Sequence, residues 1–95
     1  MSVEKYLPII QDELNMKIVN FARIPRDTEE VVSEVKTYLR QRYASLYRQD
    51  MEVRAVAASR LGNLESIGAL QFDNEKWQAT PKFLDILSKY FGIKY

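Results

Sequence analysis

Ninety-five residues, 46% hydrophobic and 28% charged with a formal net charge of +1, have the make-up of one folded, soluble domain over 1–95. There is no cysteine and no histidine, which excludes disulfides and thiolate chemistry and removes the commonest general base and metal ligand. No apolar run nears the roughly 20 residues that span a bilayer, and Met1–Tyr6 lacks a signal-peptide pattern, so a cytoplasmic protein is expected.

The charge is unevenly distributed. Residues 36–60 hold six basic side chains (Lys36, Arg40, Arg42, Arg48, Arg54, Arg60) and two acidic ones (Asp50, Glu52). The middle of the chain is therefore a local basic region on a nearly neutral molecule. It falls short of the strongly basic stripe of an obvious nucleic-acid binder.

In chain order, Tyr6, Leu7, Ile10, Leu14, Ile18 and Phe21 recur at spacings of three and four, which predicts a first helix over 3–21. Pro8 is tolerated in its first turn if the helix starts near Leu7 and kinks it if the start is Val3. Ile24-Pro25-Arg26 breaks the pattern. Asp27 with Glu30 three residues later has the form of a capping box. The stripe from Val31 to Leu46 then extends a second helix to about Tyr47, or to a break near Gln41–Ala44, with Tyr38 and Tyr43 expected in the core.

A turn at 48–51, with Asp50 as the expected cap, leads to a third helix over 51–66. Val53, Val56, Ala57, Leu61, Leu64 and Ile67 share its apolar face. Ala55, Ala58, Ser59 and Gly62 form the opposite face, flanked by Arg54 and Asn63. Gly68 is placed to stop the helix. Two short strands follow, 69–72 and 76–79, with Leu70, Phe72 and Trp77 inward and Asp73-Asn74-Glu75 as the turn. Thr80 and Pro81 then cap and open a last helix that Gly92 ends.

The order of three helices, a two-stranded β-hairpin and a C-terminal helix resembles the winged helix-turn-helix superfamily over about 27–91. The segment Val56-Ala57-Ala58-Ser59-Arg60-Leu61-Gly62-Asn63-Leu64-Glu65-Ser66-Ile67-Gly68 looks like the end of a recognition helix. Lys76-Trp77-Gln78-Ala79-Thr80-Pro81 looks like the return strand of a wing. The resemblance implies a mostly α, winged-helix-like domain. It also implies DNA contacts from Arg54, Ala55, Ala58, Ser59, Gly62 and Asn63 on the third helix and from Asn74 and Lys76 on the wing. The superfamily equally includes domains that bind protein, and fold alone does not choose between them.

The bare face of Ala55, Ala58, Ser59 and Gly62 suits a DNA groove, a partner protein or another helix of the same chain. Only Arg54, Ser59 and Asn63 there can read base edges. Lys36, Arg40, Arg48 and Arg54 are candidate phosphate contacts, set against pairing with nearby carboxylates. Arg60 lies toward the apolar side and is expected to pair with a carboxylate. Tyr47, Tyr90 and Tyr95 are candidate partner anchors.

Catalysis is not expected: Asp12-Glu13 and Glu29-Glu30 are adjacent pairs that cannot converge on one atom. No cofactor or metal is expected. Two functions follow. The first is a small regulator or architectural factor that binds duplex DNA mainly through phosphate and shape. The second is a protein-interaction module, an accessory subunit of a replication, transcription or chromosome-segregation complex. Homodimerisation through the first and last helices is a further expectation.

Overall fold

The structure, a computed structural model, describes residues 3–43 and 49–93. These residues form five helices and one antiparallel hairpin: α1 (Leu7–Ile10, led in by a 3-10 turn over Glu4–Tyr6), α2 (Glu13–Phe21), α3 (Thr28–Tyr43), α4 (Asp50–Ser66), β1 (Leu70–Asp73), β2 (Lys76–Ala79) and α5 (Pro81–Phe91). The described part is mostly helical. No described helix is long and apolar enough to cross a membrane.

The expected helix over 3–21 is broken in two. Pro8 lies in the first turn of α1, where its missing N–H costs little. Asp12 then takes an extended conformation and accepts a hydrogen bond from the Asn15 amide at 3.1 Å. An N-cap inside the apolar periodicity restarts the helix there.

At the head of α3 the capping box forms as expected. Asp27 Oδ1 accepts from the Glu30 amide at 2.7 Å, and Glu30 Oε1 accepts from the Asp27 amide at 3.0 Å. At the head of α4 the cap is Gln49, not Asp50. The Gln49 amide donates to Glu52 Oε1 at 3.2 Å, and the Asp50 side chain reaches across to α3 instead.

Gly68, at φ 82°, follows the end of α4 in the left-handed conformation that favours glycine. The hairpin pairs Leu70 with Ala79, Gln71 with Gln78, Phe72 with Trp77 and Asp73 with Lys76. Asn74 and Glu75 make the turn at φ 52° and 62°, the doubly left-handed geometry of a two-residue type I′ turn. Thr80 closes the hairpin in two ways: Oγ1 accepts from the Phe83 amide as the cap of α5 and donates to the Gly68 carbonyl.

The connection from α2 to α3 lies along the far side of β2. Arg26 and Trp77 exchange both backbone hydrogen bonds, and the Ala79 amide donates to the Ala22 carbonyl. The Trp77 indole N–H also donates to Thr28 Oγ1 at 2.9 Å. β2 is therefore the middle of a three-segment arrangement that joins two parts of the chain about fifty residues apart.

One contiguous core gathers every helix except α1, whose Ile9 and Ile10 pack on its edge. Ile18, Val31, Val35, Val53, Leu64, Leu70, Phe83 and Leu87 are fully buried. Each large apolar side chain among them contributes about 1.5–3 kcal/mol relative to exposure. Two expectations fail at the margin. Tyr43 is 45% exposed and Phe72 is 46% exposed. Tyr43 sits in the last described turn of α3, beyond the packed stretch that ends at Leu39. Phe72 sits one pair short of the turn, past the reach of the helices that bury Leu70.

Candidate functional site

Periodicity sets the outer face of α4. Val53, Ala57, Leu61 and Leu64 face the core, so Ala55, Ala58, Ser59 and Gly62 face out, and all four are exposed. Arg54 and Asn63 flank them and are also exposed. The face is thus assembled as expected, and no other described helix covers it.

Part of it borders a groove of about 700 Å³ between α2, α3 and α4. Ala55, Val56, Ser59 and Arg60 form one wall, Tyr38, Leu39 and Tyr43 the second, and Gln11 to Leu14 the third. The walls from α2 and α3 were not foreseen from the sequence. What holds the start of α2 beside α4 is the contact of Arg60 with Asp12 and Asn15, whose partners no local pattern in the sequence marks.

The groove floor is fixed by charge. Arg60 pairs with Asp12 and donates to Asn15 Oδ1 at 3.1 Å. The expectation of an Arg60–carboxylate pair is met. Partial burial alone would raise the Asp12 pKa, but the Arg60 hydrogen bond, the Asn15 amide and the Arg60 charge together bring it below 3.8. Arg42 pairs with Glu13 and lies 5.0 Å from the centre of the Tyr38 ring. Burial, then the nearby Glu13 charge, push the Tyr38 phenol above 10.0.

The candidate phosphate contacts are all occupied where they are described. Arg54 makes a two-pronged pair with Glu29, both bonds at 2.7 Å. Lys36 and Arg40 converge on Asp50 at 3.0 and 3.7 Å. Lys76 lies 3.8 Å from Asp27. The Arg54 hydrogen bond lowers the Glu29 pKa, and the Lys36 hydrogen bond and charge lower that of Asp50. Both carboxylates are therefore firmly anionic at neutral pH.

Asn74 is exposed but serves the turn through its positive φ. Tyr90 is 56% exposed on α5, away from the residues that line the groove. Tyr47, Arg48 and Tyr95 lie outside the described residues. Among the described residues, no three acidic side chains cluster in a way that can hold a metal ion. No protein-family model matches the chain, and no match was found among curated proteins or solved structures.

Proposed function

We propose that the chain is a winged-helix-like protein-interaction module, an accessory subunit that docks a partner protein on the outer face of α4 and its adjoining groove. The winged-helix reading is supported by the hairpin directly after α4 and by the Arg26–Trp77 bridge beside β2. That bridge corresponds to the short strand that the superfamily has between its first two helices.

One observation carries the choice of partner. Lys36, Arg40, Arg54 and Lys76, the candidate phosphate contacts among the described residues, each face a carboxylate of the same chain. Binding phosphate there would mean breaking those pairs, and counterion release, the main drive of DNA association, would shrink accordingly. What α4 offers instead is a bare backbone flanked by aromatic rings and a mixed groove, which suits close packing against a protein surface.

The test is purification of the tagged protein from the cells that make it, with protein and nucleic acid both analysed, alongside the variant Ala58→Glu. The expected result is a stoichiometric protein partner that the variant loses while its far-ultraviolet spectrum is unchanged. Purified protein is expected to leave duplex DNA unshifted at low salt. Stoichiometric nucleic acid in the native material, or a low-salt shift that collapses steeply as salt rises, would overturn the reading.

A further inference from the structure

The hairpin has two edges, and only one is covered. A two-residue turn makes Asp73 and Lys76 a hydrogen-bonded pair, so bonding alternates along the ladder and Phe72 opposite Trp77 is a non-bonded pair. The Trp77 backbone accordingly turns away from β1 and bonds to Arg26. By the same alternation, the Phe72 N–H and C=O turn away from β2 onto the open edge of β1. Nothing described lies there: Gln71, Phe72 and Asp73 are all exposed.

Of the features that discourage strand addition, this edge has shortness and the terminal charge of Asp73 but not the others. Leu70, Gln71 and Phe72 carry no charge, the strand holds no proline, and its four pairs run without a bulge. The Phe72 ring stacks on Trp77 with centroids 4.6 Å apart and stays half exposed, leaving an aromatic surface beside free backbone groups.

We propose that this edge joins a second copy of the chain, by antiparallel pairing of β1 with β1 about a two-fold axis at Phe72. Phe72 of each copy exchanges both backbone hydrogen bonds with its counterpart. Each Gln71 side-chain amide then faces Asp73 of the other copy, a donor opposite an anion. No like charges are directly opposed, and the two hairpins make one four-stranded sheet. The Phe72–Trp77 stack of one copy continues into that of the other. The arrangement is self-complementary, as an isologous interface requires. A four-residue edge covers less than the roughly 1,200 Å² of a tight complex, so the dimer is weak and concentration-dependent. It uses a different surface from α4 and stands independently of the partner proposed there.

The test is sedimentation equilibrium across a concentration series with the wild type, Phe72→Lys and two single-cysteine variants, Phe72→Cys and Gln71→Cys, in a chain that has no other cysteine. The wild type is expected to dimerise reversibly as concentration rises. Phe72→Lys sets two cations face to face and is expected to weaken association by about tenfold or more. Under mild oxidation Phe72→Cys is expected to cross-link into dimers far faster than Gln71→Cys, because only position 72 meets itself. Amide exchange gives a readout without mutation: protection of the Phe72 N–H is expected to rise with protein concentration. A wild type that stays monomeric to about 1 mM overturns the proposal and leaves the edge to a strand of another protein. Equal cross-linking at 71 and 72 overturns it as well.

Discussion

Asp12 shows how one side chain can fix both a helix boundary and a tertiary contact. Its Oδ1 caps α2 while Oδ2 receives Arg60 from α4. Asp12→Asn keeps a capping group and removes only the charge, so it isolates the ion pair. The pair is about one-third exposed, and a cost of about 1 kcal/mol follows after allowing for solvent screening. The pH dependence has a definite sign. The native pKa is below 3.8, so the contribution is present above the ordinary carboxylate pKa and is lost as pH falls through the lowered native value. Denaturant titrations of both forms are expected to differ near neutrality and to converge in acid. A difference that stayed constant as the pH fell through the acid range would contradict this account.

Among the elements, the hairpin carries the clearest local cost. Glu75 holds φ 62° with a full side chain, in a turn where glycine at that second position is strongly preferred. Glu75→Gly is expected to stabilise the protein by about 0.5–1 kcal/mol in thermal or denaturant unfolding. Thr80→Ala is expected to cost about 1 kcal/mol or more, because the hydroxyl caps α5 and also satisfies the Gly68 carbonyl. Most of these elements were legible in the sequence because their signals are local: Asp27 with Glu30, Gly68, Asn74, Thr80 with Pro81, and Gly92. The break at Asp12 was not legible, because Leu14 and Ile18 keep the same spacing across it and an acidic residue inside a helix looks ordinary. Gln49 capping α4 was hidden for a different reason. Asp50 is the better cap by residue type, but its carboxylate is drawn to Lys36 and Arg40, contacts that only the packing of α3 on α4 creates.

At the scale of the whole molecule, the basic middle segment is the feature whose meaning changed most. Its composition was read correctly; Lys36 and Arg40 pair with Asp50 inside the segment, while Arg54, Arg42 and Arg60 pair with Glu29, Glu13 and Asp12 from outside it. Sequence distance concealed only the Glu13 and Asp12 share of that neutralisation. It can be tested by removing the carboxylates. Replacing Asp27 and Asp50 by Asn and Glu29 by Gln takes away three negative charges and frees Lys36, Arg40, Arg54 and Lys76 together. The triple variant is expected to bind duplex DNA at low salt, with a log–log salt slope of about −3 where the wild type shows little binding. The bare face of α4 was foreseen, whereas the groove beside it was not, because its walls belong to helices far apart in the chain.

The Arg26–Trp77 junction also gives the molecule a built-in optical reporter. Trp77 is the sole tryptophan. Its backbone bonds to the connection before α3, its indole bonds to Thr28 and its ring stacks on Phe72. Intrinsic fluorescence excited at the indole therefore follows the docking of the hairpin onto the N-terminal half, while far-ultraviolet dichroism follows the helices. Closing a loop of about fifty residues costs roughly 3–4 kcal/mol of chain entropy, so this junction belongs among the later contacts to form. A lag of the fluorescence signal behind the helical one in refolding would be the visible trace of that order.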